Sequence, residues 1–313
     1  MVSGTADVII VTRDIEDNLK ACLDSLKKQS YPVNQIFIID NSLNEDFRQK
    51  ILGQFPEIKL HGPALPLTYC EAINKGIGMS NGCFILCLND DVVLDNKFIE
   101  EAIRAFDIDD KIGMVSGKIL RPGGKIIDST GLFLSPWRTA RERGYGLKYK
   151  GQYGRKGYVF GVSGSVAFYR RKMLENIKMG PEYFDNDFRF FYEDLDIAWR
   201  ANRHGWKGYY IPQAIAYHVR GATARGGSGI NKPFARRYIN DSLHLDLIKN
   251  RYLAMIKNES FFGFLTHLPL IALYDAAMWC YVLSFRPGLI KQFISKTGIM
   301  KSAFDKRMLS RRR

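Results

Sequence analysis

Short apolar runs set between stretches of helical periodicity constrain this chain more than any other feature. Residues 7–12 (DVIIVT), 35–40 (QIFIID), 83–88 (CFILCL) and 112–117 (IGMVSG) are apolar without alternation. Each reads as a strand covered on both faces. A further short strand is expected near Ile58. Between the runs, Leu19, Cys22, Leu23 and Leu26 share one helical face, and so do Phe98, Ile99, Ala102, Ile103 and Phe106. Residues 66–80 read as another helix, Asp14 as the N-cap of the first, and a polar segment begins near Asn44. Strands alternating with helices predict an α/β fold, a mostly parallel sheet with helices on both faces.

Ligands of such sheets bind beyond the carboxyl ends of the strands. That rule selects Thr12–Asp14, Asp40–Ser42 and Asn89–Asp91. At Asn89-Asp90-Asp91, three oxygen-bearing side chains follow a buried strand directly. Hard oxygen ligands suit Mg²⁺ or Mn²⁺, held by one or two carboxylates plus a substrate phosphate. Strand alternation points Asn89 and Asp91 to one side and Asp90 to the other; an Asx turn would use the same residues.

Residues 121–158 carry the turn RPGGK and many Gly, Tyr and Arg residues, and read as an irregular lid or acceptor loop. The densest chemistry follows in FDNDFRFFYEDLDIAWRANRHGW, residues 184–206. Phe191, Leu195 and Trp199 form an i, i+4, i+8 stripe, so a helix starts around Tyr192 and ends near Gly205. Glu193 and Asp194 fall in its first turn. The helix dipole favours acids there, yet two adjacent carboxylates behind an aromatic run are also what a desolvated general base looks like. Asp196 and Arg200 read as an i, i+4 ion pair. His218, in YHVRGAT after an apolar run, becomes a metal-ligand candidate once a metal site is proposed.

Composition excludes several classes. Hydrophobic residues at 46% and charged residues at 25% are those of a globular protein, not a disordered one. Five cysteines without framework spacing argue against a disulfide scaffold, and Cys83 and Cys87 read as buried thiols. The apolar stretch near the N-terminus is too short for a signal peptide, so a cytoplasmic location is expected. The net charge of +14 calls for an anionic partner. From Lys249 onward there are twelve Lys/Arg against Glu259, Asp275 and Asp305, an excess of nine. Among these charges lies the apolar segment 261–285, long enough to span a bilayer but interrupted by His267, Pro269 and Asp275. Helices lying on an anionic membrane surface are expected there; a helical cap or dimer interface is the plainer alternative.

The succession of Asp40, LNDD at 88–91, FFYEDLDIAWRANRHGW and YHVRGAT resembles the family 2 inverting glycosyltransferases, most closely their rhamnosyltransferase-like branch. The resemblance runs from about Val8 to Thr223. It implies an A-type glycosyltransferase fold (Rossmann-like), a nucleotide-diphosphate sugar donor, Mg²⁺ or Mn²⁺, and inversion at the anomeric carbon. By the same resemblance Asp194 is the general base with Glu193 beside it. Asp40 contacts the nucleoside, and Asn89, Asp90 and Asp91 form the metal and diphosphate motif, while Thr12, at the end of the first strand, is a donor-site candidate by its position. Asp91 is the foremost candidate for direct metal ligand, with His218 helping to hold the metal or diphosphate. Gly161–Gly164 and Phe190–Tyr192 line the acceptor side. The chain departs from the family pattern at Arg13-Asp14, where a Tyr-Asn pair is usual, and at Asn89, where Asp is usual.

The expected organisation is a nucleotide-sugar-binding catalytic domain over residues 1–230 and a basic amphipathic helical region over 231–313. The expected partners are a dTDP- or UDP-sugar, a glycan or polyprenyl-linked acceptor and an anionic membrane, which places the protein on the inner face of the cell membrane. A nicotinamide dehydrogenase is disfavoured because TRDIED after the first strand has no glycine. A metal-dependent sugar nucleotidyltransferase would share the phosphate and metal logic. A nucleic-acid binder should spread its charge over the folded domain rather than beside an apolar segment, so no nucleic acid is expected.

Overall fold

The computed structural model describes residues 4–13, 16–220 and 240–311. The elements run β1 (Ala6–Thr12), α1 (Glu16–Lys27), β2 (Val33–Asp40), α2 (Glu45–Gln54), β3 (Lys59–His61), α3 (Tyr69–Met79), β4 (Phe84–Asn89), β5 (Val92–Leu94), α4 (Phe98–Ala105) and β6 (Ile112–Leu120). There follow β7 (Ile127–Ser129), β8 (Leu132–Leu134), β9 (Ala140–Glu142), β10 (Gly157–Val159), β11 (Val166–Arg170), α5 (Arg171–Ile177), α6 (Glu193–Arg203) and β12 (Lys207–His218). The C-terminal helices are α7 (Asp241–Asn258), α8 (Phe261–Phe285), α9 (Gly288–Ser295) and α10 (Gly298–Arg311). The sheet order is β10-β12-β6-β11-β4-β1-β2-β3. β1, β2, β3 and β4 pair in parallel, as do β6 and β12, while β11 lies antiparallel between β4 and β6.

The unbroken apolar runs have the cause expected of them. Along β4, Phe84, Leu86 and Leu88 enter the core beneath α1, α2 and α4, while Ile85 and Cys87 enter the opposite core beneath α3, α5 and α6. Alternate side chains leave opposite faces, so a strand covered on both must be apolar throughout. Asn44 caps α2 by accepting from the Phe47 N–H. Thr68 and Glu71 form a capping box at the start of α3. Asp14 lies outside the described residues.

Two readings are corrected. Cys83 is exposed, because it precedes β4 rather than lying in it, whereas Cys87 is buried. Residues 121–158 are not irregular throughout: β7 pairs with β6, β8 with β9, and β10 with β12. Three-residue strands are too short for a periodic pattern to register. RPGGK does form a turn, with Gly123 and Gly124 at φ of 82° and 71°, where glycine carries no Cβ penalty.

The C-terminal helices share the core of the sheet domain. Leu253, Ala254, Met255, Ile271 and Ala303 pack in the same cluster as α3, α5 and α6. Much of the positive charge is spent inside this contact. Lys257 is buried between Asp185 and Asp196, at 2.8 Å from Asp196 Oδ1. Asp196 also accepts from Arg200 Nε at 3.0 Å, so the i, i+4 pair belongs to a buried network. Lys306 reaches Glu182, Asp185 and Asp187. The boundary expected near residue 230 lies outside the described residues.

Candidate active site

Three strand ends build the floor of the site. The register sets Thr12 opposite Asp40 and Val11 opposite Asn89, so β1, β2 and β4 finish at one edge. Thr12 Oγ1 donates to Asp90 Oδ2 at 2.7 Å. The Asn41 amide exchanges two hydrogen bonds with the Leu67 backbone, fixing the approach to α3. Asp40 turns inward. Its carboxylate is fully buried, accepting from Arg48 Nε at 2.7 Å and from the Ser42 N–H at 2.8 Å. It braces the turn into α2, and its neighbour Asn41 is the residue that reaches the cavity wall.

Two cavities adjoin above this floor. One, of about 480 Å³, is lined by Thr12, Arg13, Asn41, Leu67 and Asp90. The other, of about 510 Å³, is lined by Glu142, Gly164, Glu193, Asp194, His218 and Arg220. Tyr69, Asn89, Asp91, Arg189 and Phe190 line both. Asn89 and Asp91 thus look into the shared space, while Asp90 lines only the first cavity. A third cavity, of about 530 Å³ and lined in part by Arg104, Arg155 and Lys156, shares no residue with these two.

At the junction, β12 ends on His218 opposite Val92 of β5, directly after the strand-end acids. His218 Nε2 lies 3.2 Å from Asp91 Oδ1, and Nδ1 lies 2.7 Å from Asp128 Oδ2. Asp128 is fully buried and also accepts from Arg220 Nε at 2.8 Å, while Arg121 forms an ion pair with it, Nε lying 3.0 Å from Oδ1. Burial alone would raise its carboxyl, but the hydrogen bond from His218 and the charges of Arg220, His218 and Arg121 hold it below the usual carboxylate range. An ionised carboxylate only accepts, so Nδ1 of His218 carries the proton. Nε2 then faces a second carboxylate and needs a cation between them: its own proton or a metal. Burial lowers the His218 pKa, and the bonds to Asp128 and Asp91 more than reverse this, leaving it above the ordinary value.

This chemistry fits a small divalent cation. A histidine whose second nitrogen is fixed by a carboxylate is the usual support of a metal ligand. Octahedral bonds of about 2.1 Å put neighbouring ligand atoms roughly 3 Å apart, close to the separation of Nε2 and Asp91 Oδ1. Among the described residues no three His, Cys, Asp or Glu side chains form a cage. A cation that completes its shell from substrate phosphate does not need one.

The opposite wall is the start of α6, entered through unusual backbone. Phe191 and Tyr192 both take left-handed conformations, with φ of 68° and 72°. Such residues are costly and persist where the surroundings hold them. Here Asn250 of α7, fully buried, donates to the carbonyls of Phe190 and Phe191 at 2.7 and 2.8 Å. The turn delivers Glu193 and Asp194 to the cavity. Asp194 Oδ2 accepts from the Gly164 N–H at 3.2 Å, and Oδ1 from the Leu195 N–H at 2.7 Å. Burial raises the Asp194 pKa, while these N–H bonds and Arg220 oppose the rise. Glu193 Oε2 is buried with no hydrogen-bond partner among the described residues. Burial, and then the Asp194 charge, push Glu193 up to about 8. Glu142 on β9 is pushed up to about 7 by burial and next by Asp194. At neutral pH the three acids therefore hold protons among them, and Asp194, which accepts from the Gly164 and Leu195 N–H groups, best carries the charge.

The structure brings Thr12, Asn89, Asp90, Asp91, Glu193, Asp194 and His218 around two joined cavities, and leaves Asp40 behind them. Asp128, Glu142, Arg189 and Asn250 were not singled out in the sequence. Asp128 closes the apolar pair in KIIDST, the same cue that marks Asp40. No local signal identifies the other three.

Residues 7–178 match the profile of Glycosyl transferase family 2. A poly-β-1,6-N-acetyl-D-glucosamine synthase of Staphylococcus epidermidis is 21% identical over 218 residues, 67% of this chain and 48% of that protein. The chain thus spans about half the length of the curated relatives it matches. Among solved structures, S. aureus TarS in complex with UDP-GlcNAc is 14% identical, with a TM-score of 0.60 over 96% of this chain and 81% of that one. A mannosyltransferase from Pyrobaculum calidifontis in complex with GDP-Man and Mn²⁺ is 13% identical, with a TM-score of 0.56 over 99% of this chain and 86% of that one. With the profile covering more than half its length and the fold shared with these enzymes, the chain belongs to glycosyl transferase family 2 and has the A-type glycosyltransferase fold.

Proposed function

We propose that this protein transfers a sugar, with inversion, from a nucleotide-diphosphate donor to an acceptor hydroxyl. One observation carries the reading: Asn89 and Asp91 stand where a cavity suited to a nucleotide joins a cavity holding a buried, partly protonated acid cluster. The donor nucleoside occupies the space between Thr12, Arg13 and Asn41. Arg189, which lines both cavities, faces the diphosphate. Asn89, Asp91 and His218 would hold Mg²⁺ or Mn²⁺, with Asp128 keeping the imidazole in the ligating tautomer. When bound, such a cation neutralises charge on the departing diphosphate.

The acceptor enters on the side of Gly164, Phe190 and Tyr192. Asp194 takes the proton of the attacking hydroxyl, and that oxygen displaces the nucleoside diphosphate at the anomeric carbon from the opposite face. Glu193 keeps its proton at neutral pH, which avoids a second negative charge beside the base. The Gly164 N–H holds Asp194 in place.

Rhamnose is the favoured sugar, delivered from a dTDP- or UDP-linked donor. The YEDLD block supports it through its likeness to the rhamnosyltransferase branch. The favoured acceptor is a glycan or lipid-linked glycan at the inner face of the cell membrane, in surface polysaccharide synthesis. The polysaccharide synthase among the relatives supports that setting.

The test is donor turnover with Mn²⁺ or Mg²⁺, after a thermal-shift panel of dTDP-rhamnose, UDP-GlcNAc and GDP-mannose. Release of nucleoside diphosphate is expected; pyrophosphate instead would mean nucleotidyl transfer. General-base help is typically about 10²–10⁴-fold, so Asp194→Asn should lose at least 100-fold in kcat while donor affinity survives. Near-normal turnover in that variant would remove Asp194 from the mechanism.

A further inference from the structure

We infer that the outer face of α8 seats in the interface of an anionic bilayer, with the helix lying along the membrane rather than crossing it. The inference stands apart from the proposed reaction, because membrane binding can be read without donor or turnover.

The 25 residues of α8 are about 37 Å of helix. Ile271, Met278 and Val282 are buried against the protein. Both ionisable side chains turn to that side as well. Asp275 pairs with the buried Arg251 of α7, and His267 lies 3.0 Å from Arg138. The outer face carries no charge at all. On that face Phe262, Leu265, Leu273 and Leu283 are 80%, 49%, 69% and 59% exposed. Ile294 of α9 and Phe304 of α10 are exposed as well. Exposed large apolar side chains gathered along one helix face mark a binding face.

Charge identifies the occupant. Lys291, Lys296 and Lys301 are exposed on and beside α9 and α10, and Asp305 is the exposed acid among the described residues of this stretch. Apolar side chains flanked by lysines fit acyl chains beneath anionic headgroups. A second copy of the chain would bring like charges together at the rim. Of the twelve basic residues from Lys249 onward, Lys249, Arg251, Lys257, Arg286, Lys306 and Arg307 bond within the protein. Among the described side chains this leaves Lys291, Lys296 and Lys301, so the apolar face carries most of the affinity and these lysines contribute the preference for anionic lipid.

The inner face shows why α8 lies flat. It is tied to the sheet domain along its length. Trp137 stacks on Tyr274, Arg138 bonds Glu259 and the Gly263 carbonyl, and Trp279 Nε1 donates to Tyr252 of α7 at 3.0 Å. A helix inserted across a bilayer would have to give these contacts up. Trp137 and Arg138 form the turn between β8 and β9, and β9 carries Ala140 and Glu142 into the acid-lined cavity. The membrane face and the wall of that cavity are thus built on one hairpin.

The experiment is co-sedimentation of the full chain with vesicles of phosphatidylcholine, with and without 30% phosphatidylglycerol. The parent should bind the anionic vesicles. Leu265→Glu/Leu273→Glu should lower the partition coefficient at least tenfold, since each change puts a charge into the apolar interface. Lys291→Glu/Lys296→Glu/Lys301→Glu should bind neutral and anionic vesicles alike. Near-ultraviolet circular dichroism checks that each variant is folded, and the lysine variant tests the idea even where the leucine variant does not fold. Equal partitioning of parent and leucine variant, or no binding by the parent, would overturn the inference. So would a parent dimer in sedimentation velocity that the leucine changes dissociate, because the face would then belong to a second copy.

Discussion

Replacing Asp128 by asparagine tests the logic of the site at a residue that touches neither donor nor acceptor in the proposed reaction. Asp128 gives one oxygen to His218 Nδ1 at 2.7 Å and the other to Arg220 Nε at 2.8 Å, with Arg121 at 3.0 Å. An asparagine side chain there has one acceptor oxygen and an amide that donates. If the oxygen faces the arginines, the amide meets the Nδ1 proton; if it faces His218, the arginines meet the amide. Either orientation loses a charge-assisted hydrogen bond, worth about 1.5–3 kcal/mol. At 1.36 kcal/mol per decade that is roughly a 10- to 150-fold effect, in line with the roughly 10- to 100-fold typical of residues that orient metal ligands. Calorimetric titration of Mn²⁺ at saturating nucleotide should show that loss in Asp128→Asn, and Asp91→Ala should abolish metal-dependent donor binding. Below the raised His218 pKa, metal must displace a proton, so Mn²⁺ affinity should fall as pH falls and protons should be released on binding. Because Asp128 raises that pKa, the variant should show the fall at lower pH. Unchanged Mn²⁺ affinity in a folded Asp128→Asn protein would refute the chain from Asp128 through His218 to a cation.

Other outcomes follow from the acid cluster and its support. With the Asp194 pKa raised, kcat/KM should climb with pH to a midpoint above that of an ordinary aspartate, and Glu193→Gln should remove any second ionisation near pH 8 while keeping the acid limb. Glu193 binds its proton more tightly when folded. Its contribution to stability is therefore full below the unfolded value near 4.5 and is lost as pH rises towards about 8. Thermal melts of Glu193→Gln across pH 5–8 should decline less steeply than those of the parent; parallel slopes would contradict this. Asn250→Ala leaves two carbonyls without their donor beside a left-handed pair, a loss of about 1–3 kcal/mol by ordinary hydrogen-bond magnitudes. Steady-state kinetics should show kcat falling further than donor affinity, because the segment that aims Asp194 is the part released.

The sheet domain was legible because burial on both faces writes itself into every residue of a strand. Runs such as QIFIID and CFILCL needed no tertiary information, and the acid ending a run already pointed at the site edge. Glu193 and Asp194 were legible as the first turn of a helix behind an aromatic run. What the chain alone does not display is direction. Asp40 and Asp91 have the same local signature, yet Arg48 draws one into the protein and His218 keeps the other at the cavity. Which acid faces the cavity at a strand end depends on a residue eight places on in one case and on a distant strand in the other.

The C-terminal charge shows the same division. Counting lysines and arginines gives a strongly basic tail, but Lys257 and Lys306 complete a buried acidic network around Asp185 and Asp196. The apolar length of α8 was fixed by its sequence. Its two faces were not, because Asp275 and His267 interrupt the pattern until Arg251 and Arg138 fold against them. Periodicity is set by neighbours along the chain and is therefore local. Pairing is set by elements tens of residues apart, and only the folded chain brings those together.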